Sequence, residues 1–233
     1  MIEVSGLTKL YGTQAALAGV SLTVPRASVL TVLGPNGSGK TTLLRVLATL
    51  TRPTGGRGRI AGYDLVTDRD AVRRRIGVVG HGTQLYGDLT PIENLAFAAT
   101  LAGVPHDHRT LTAALARVGL EAQADIRVRD LSSGMQRRIA LARAMLQAPA
   151  VLLLDEPFSG LDQESLKRLE EYLHTFKESG GTAVLATHSL GRGLRLADRV
   201  AILAGGRLVA DEPRERLTDE TLRYLYAATT EDP

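Results

Sequence analysis

Short apolar runs recur along the chain at residues 2–7, 29–33, 76–79, 151–154, 183–186 and 200–203. They are rich in Val, Ile and Leu and bounded by glycine, proline or polar residues, which predicts buried strands. Between several of them the apolar spacing becomes helical. Residues 40–50 place Leu43, Leu44, Leu47 and Leu50 on one side, and residues 165–178 do the same with Leu166, Leu169, Leu173 and Phe176. Alternation of strand and helix predicts an α/β core with a largely parallel sheet. Residues 91–147 break the alternation: helices are predicted at 91–102, 109–118 and 133–147, with no strand among them. An all-helical insert is therefore expected inside an α/β core formed by 1–90 and 148–233. Residues 2–7, 21–24 and 59–60, and the pair 200–203 and 207–210 around Ala204, Gly205 and Gly206, read as antiparallel additions to that core.

Composition narrows the picture modestly. Of the 233 residues, 44% are hydrophobic and 23% charged, which suits a folded globular chain and excludes a disordered one. It leaves open one subdivided domain or two. The strongly apolar stretch 151–154 is far shorter than the roughly 18 residues of a spanning helix, so the chain is not expected to cross a bilayer. The N-terminus has no basic start followed by an apolar run, which predicts a protein that stays in the cytoplasm. Absence of cysteine excludes disulfides and thiolate metal sites. Of the 28 basic residues 11 lie in the first 80 positions, against 4 of the 25 acidic ones, a bias that suits an anionic ligand. A solvated arginine-rich surface accounts for the same bias, and no nucleic-acid partner is expected from it.

The candidate chemistry begins at residues 34–42, GPNGSGKTT, directly after the predicted strand VLTVL and directly before a predicted helix. This is a phosphate-binding loop in its required context. Gly34, Gly37 and Gly39 let backbone amides turn toward phosphate oxygens, with Pro35, Asn36 and Ser38 completing the loop. The following helix N-terminus adds its positive end, and Lys40 reaches the terminal phosphates. Thr41, followed by Thr42, offers a hydroxyl to Mg²⁺. VLLLD at 151–155 ends a buried strand in Asp155, followed at once by Glu156. Alone, such an acid is an ordinary turn or cap. Downstream of the phosphate loop, Asp155 becomes a Mg²⁺ holder and Glu156 the acceptor that polarises the attacking water. LSSGMQ at 131–136 precedes a long helical pattern, and Ser132, Ser133 and Gly134 at a helix start can meet an anion or merely cap the helix.

These motifs in this order resemble the ATP-binding cassette (ABC) family over nearly the whole chain. LSSGM is similar to the family signature LSGGQ, with Ser133 and Met135 departing from it. The resemblance implies a fold with a phosphate-loop NTPase core, an antiparallel β subdomain and a helical insert. It also implies ATP and Mg²⁺ as cofactors and transport-coupled ATP hydrolysis. Two cassettes, identical or homologous, would pack head to tail, each ATP lying between the phosphate loop of one and the signature of the other. By the same resemblance Tyr11 stacks on adenine, Asp162 in SGLD lies near the dimer seam, and His188 after TAVLAT contacts the γ-phosphate. Membrane permease chains become partners, with the cassette peripheral on the cytoplasmic face of the membrane.

One position departs from the family pattern. His81, in VVGHGTQLYGDL, stands where the family carries a nucleotide- and metal-contacting glutamine, and its charge can change near neutral pH. The same GH pair and its flanks resemble the haem-exporter ATPases of cytochrome c maturation. A drug or lipid exporter subunit remains open, as do a soluble ATPase of the family acting on nucleic acid or ribosomes and a binding module without turnover. Arg73, Arg74 and Arg75 are expected on a solvated face, and Arg137 and Arg138 on the exposed or partner side of the signature helix. His106, Asp107 and His108 are expected to be an ordinary loop rather than a metal site.

Overall fold

Ten strands and eight α-helices organise residues 1–228, which the computed structural model describes. The strands are β1 (Ile2–Tyr11), β2 (Gln14–Val24), β3 (Val29–Leu33), β4 (Gly55–Ile60), β5 (Tyr63–Asp64), β6 (Ile76–Val79), β7 (Val151–Asp155), β8 (Thr182–Thr187), β9 (Arg199–Ala204) and β10 (Arg207–Pro213). They form an antiparallel sheet in the order β2-β1-β4-β5 and a six-stranded sheet in the order β10-β9-β3-β8-β7-β6. In the larger sheet only β10, hairpinned onto β9, runs antiparallel. The helices are α1 (Lys40–Leu47), α2 (Arg69–Arg73), α3 (Pro91–Leu101), α4 (His108–Arg117), α5 (Ser133–Ala144), α6 (Gln163–Glu178), α7 (Leu190–Gly193) and α8 (Asp219–Ala228).

The parallel strands are mostly apolar because both faces of the sheet are covered, with Thr31, Asp155, Thr182 and Thr187 as buried polar exceptions. Along β7, Val151 and Leu153 join one core and Leu152 and Leu154 the other. β8 alternates in the same way, Val184 and Ala186 opposite Ala183 and Leu185. The first core holds Leu43, Leu44 and Leu47 of α1 between the two sheets, with Ile2, Leu17 and Val24 of the antiparallel one. The second packs α3 to α6 against the opposite face through Leu95, Leu115, Ile139 and Leu173. Full burial of each such leucine contributes roughly 1.5–3 kcal/mol. At Gly77 of β6, helix α5 approaches so closely that a Cβ would strike the Ala144 carbonyl.

Between β6 and β7 lie only helices: α3, α4, α5 and two 3-10 turns, Glu121–Gln123 and Val128–Asp130. Their starts are written locally. Thr90 and Glu93 form a reciprocal capping box with Pro91 in the first turn. Asp107 caps α4 and Ser132 caps α5.

Several boundaries differ from expectation. α1 ends at Leu47 because Thr49 turns left-handed (φ 57°), and Arg69 Nη2 takes its carbonyl while Arg73 Nε takes its hydroxyl, leaving Leu50 exposed. β1 and β2 are longer than the apolar signal, since bulges interrupt their alternation. β4 extends back through glycines because Gly56 lies against the Gly6 backbone where no Cβ fits. β5, α2 and α7 are too short to give a periodic signal, and α8, ten residues long, lies outside the expected elements. The solvated-face reading of 73–75 is corrected at Arg75, whose guanidinium lies 4.0 Å from the Tyr63 ring centroid and donates to its hydroxyl at 2.9 Å.

Candidate functional site

The loop between β3 and α1 is shaped by backbone conformations that favour glycine. Gly34 (φ 155°) and Gly39 (φ 106°) both lie where a Cβ would strike a backbone carbonyl, Leu203's for the first and Ala16's for the second. The loop is also stitched to its neighbours: the Gly206 amide donates to the Ser38 carbonyl at 3.0 Å and the Ala18 amide to the Gly206 carbonyl at 2.8 Å. Lys40, buried at the start of α1, donates through Nζ to the carbonyls of Gly34 (2.8 Å) and Pro35 (2.9 Å). Burial lowers its pKa, and the Glu156 and Asp155 carboxylates oppose that shift. Ser38 Oγ is buried with no partner. A glycine cradle, a buried ammonium and an unsatisfied hydroxyl fit a phosphate chain.

Facing the loop are the ends of β7 and β8. Asp155 is buried, and Glu156 follows it in a left-handed conformation (φ 49°) with its amide donating to the Ala186 carbonyl. The Glu156 carboxylate accepts from Thr187 Oγ1 (2.9 Å) and the His188 amide (2.9 Å), and His188 Nδ1 lies 2.7 Å from it. The adjacent strand end thus fixes the carboxylate's orientation. Residues 36–42 line one open cavity together with Ala16, His81, Glu156, Ser159 and His188. The arrangement can hold an anion on one wall and offer a basic oxygen to water from the other. Thr41 and His81 line that cavity, and Asp155 ends the strand beside Glu156; no cluster of three or more His, Cys, Asp or Glu suited to a metal occurs among the described residues.

Other residues singled out by sequence lie elsewhere. Tyr11 is half exposed at the end of β1, with Lys9 Nζ 4.9 Å from its ring centroid. Ser132 accepts from the Met135 amide as the cap of α5, Ser133 Oγ reaches the Gly160 carbonyl at 3.5 Å, and Gly134 is buried beside Leu161 and Ser165. Asp162 caps α6 by accepting from the Ser165 amide, and that bond holds its carboxyl below the usual carboxylate range. None of these five lines the phosphate-loop cavity.

Two arginines are corrected. Arg137 turns inward from α5 and is buried, its Nη1 donating to the His81 carbonyl at 2.9 Å and its Nη2 to the carbonyls of Asp155 and Glu156. Arg138 is partly buried and donates to the Val118 carbonyl at 2.9 Å. Burial lowers the pKa of each. Charge patterning points both to the exposed or partner side of the helix, because it cannot register backbone carbonyls that the fold supplies. Thr187, in TAVLAT, and Ser159, in SGLD, lie within the quoted motifs without being singled out, and the hydroxyl of Tyr226 on α8, 3.4 Å from the His188 carbonyl, has no motif to mark it.

A family model described as ABC transporter matches residues 17–159. Among curated proteins the chain is 39% identical over 212 residues to the daunorubicin/doxorubicin resistance ATP-binding protein of Streptomyces peucetius, covering 90% of this chain and 64% of that one. It is 37% identical to a Nod factor export ATP-binding protein of Ralstonia nicotianae (94% and 70% covered). It is 34% identical to the bacitracin transport ATP-binding protein of Bacillus licheniformis (97% and 74%). The chain thus spans less than two thirds of the first of these relatives and 70–74% of the other two. Among solved structures, an ATP-binding subunit of an ABC transporter superposes with TM-score 0.88 at 30% identity, covering 99% of this chain and all of that one. A dimeric ATP-binding cassette in a post-hydrolysis state with ADP and Pi gives TM-score 0.85 at 28% identity, covering 92% and 99%.

Proposed function

The chain belongs to the ABC transporter family and has the fold of its ATP-binding cassette, and we propose that it is the ATP-hydrolysing subunit of an exporter, working as a head-to-tail dimer under membrane permease chains. The observation that carries this reading is the Glu156 carboxylate, fixed by Thr187 and His188 on the wall facing the phosphate loop. In this reading the amides of residues 36–41 and the Lys40 ammonium bind the phosphates. Glu156 accepts a proton from water, and His188 stands beside both the carboxylate and the γ-phosphate position. Thr41 and Asp155, with His81 near them, would hold Mg²⁺, which neutralises phosphate charge when bound.

The second half of each site comes from a partner. Ser132, Ser133 and Gly134 begin α5 outside the chain's own phosphate-loop cavity, so they serve a second cassette, with Asp162 beside the seam and Tyr11 offered to the base. Residues 91–147 then act as the helical subdomain of one nucleotide-binding domain. Among the described residues no helix is long and apolar enough to cross a membrane, which fits a cassette held peripherally on the cytoplasmic face by its permease.

The relatives' names speak of daunorubicin, Nod factor and bacitracin, which favours export of an amphiphilic small molecule. Haem export is a second reading, favoured by His81 in its GH pair; turnover stimulated by haem and not by an amphiphilic drug in the permease complex would decide for it. The central test is Glu156→Gln. It keeps an acceptor for Thr187 and removes the base, so phosphate release should fall about 10²–10⁴-fold while an ATP-bound dimer accumulates on size-exclusion chromatography. Undiminished turnover, or a monomer in saturating ATP, would sink the reading.

A further inference from the structure

The buried guanidinium of Arg137 joins three segments that meet at the nucleotide cavity. It projects from α5 four residues after Ser133, so it lies one turn below the signature on the same side of the helix. Its two terminal nitrogens reach the His81 carbonyl in the loop after β6 and the carbonyls of Asp155 and Glu156 at the end of β7. Nε is buried without a partner. A charge kept out of water at that cost, where an apolar residue would pack between a helix and a sheet, needs a function that only the planar fork provides.

The carbonyl it holds belongs to a residue in a sparsely populated conformation. Glu156 has φ 49°, with its amide bonded to Ala186 and its carboxylate to Thr187 and His188. On the carbonyl side Glu156 accepts from the Ser159 amide at 3.2 Å and from Arg137, the one side chain that reaches it there. We propose that Arg137 is a positioning residue for ATP hydrolysis: it sets the Glu156 peptide, and hence the carboxylate, according to how α5 and the His81 loop sit against β7. Rotation of α5, when a partner nucleotide engages Ser132 to Gly134, pulls on the same guanidinium that anchors Glu156. Movement of the His81 loop reaches it through the other nitrogen. Arg137 does not line the phosphate-loop cavity.

The inference rests on the proposed ATPase reading, and its test separates the two. Arg137→Lys keeps the charge but gathers its donors on one nitrogen, which cannot span the separation that Nη1 and Nη2 bridge, and Arg137→Gln removes the charge. Each is compared with the parent for ATP affinity, kcat, KM and melting temperature. The expected result for Arg137→Lys is a kcat lower by about tenfold or more with ATP Kd within about twofold, because the phosphate loop is untouched. A kcat equal to the parent's in a folded variant overturns the proposal and leaves the ATPase reading standing. So does a lowered melting temperature with kcat per folded chain preserved, or failure of both variants to fold, since either assigns Arg137 to structure alone. A parent chain without turnover overturns the ATPase reading and this proposal with it.

Discussion

At the scale of single residues, Lys40 shows why the phosphate loop is legible in the sequence. Its neighbours in sequence are its neighbours in space: the carbonyls it holds are five and six residues away, and Gly34 and Gly39 supply backbone conformations that few other residues adopt. Each charge-assisted hydrogen bond moved from these carbonyls to phosphate is worth about 1.5–3 kcal/mol. Lys40→Ala should therefore weaken ATP binding by about a hundredfold or more. Because the substitution also removes a buried ammonium, the melting temperature should not fall. Calorimetric titration with ATP checks the first and a thermal melt the second; an unaltered affinity would remove Lys40 from the site. Arg137 is the opposite case. Its partners lie 56, 18 and 19 residues away and are backbone carbonyls, which any residue type presents and no motif records. Glu156 stands between the two: its chemistry was readable from VLLLDE, its orientation was not, since that depends on a strand some thirty residues further on.

At the scale of elements, legibility followed the source of the folding signal. β3, β6, β7 and β8 announce themselves because a parallel strand buried on both faces is apolar at successive positions on both sides. α3 and α4 announce themselves by their helical spacing, and their caps fix where they start. β4 does not, because its residues, GGRGRI, are selected for close backbone approach to Gly6 rather than for burial. The end of α1 was misjudged because it is set by Thr49 and two arginines of α2 that arrive from later in the chain. The capping box at α3 gives this a measurable form. Thr90 Oγ1 accepts from the Glu93 amide at 3.3 Å, and the Thr90 amide donates to Glu93 Oε2 at 2.8 Å. Thr90→Ala should cost about 1 kcal/mol, or roughly 2–4 °C in melting temperature for a chain of this size. ATP affinity should stay as in the parent, because α3 contributes no residue to the phosphate-loop cavity. A change in affinity with no change in melting temperature would contradict that separation.

At the scale of the whole molecule, the order β10-β9-β3-β8-β7-β6 places the loop after β3 and the acids after β7 on opposite sides of β8. That is why Thr187 and His188, at the end of β8, stand between them. Strand order was beyond the sequence because apolar runs of similar composition pair equally well in many orders; only the fold selects one. The same topology carries Ser132, Ser133 and Gly134 away on α5, where they do not line the cavity that holds Lys40 and Glu156. If hydrolysis uses both, two chains must meet for each turnover, and the rate must follow mass action. In dilute solution the phosphate released per chain should then rise in proportion to chain concentration and level off as the dimer fills. Steady-state phosphate release in saturating Mg-ATP over about a hundredfold dilution reads this directly, with light scattering at each point reporting the oligomer. A constant rate per chain in a solution that scatters as monomer would mean that one chain completes its own site, and the signature at the start of α5 would then need another role.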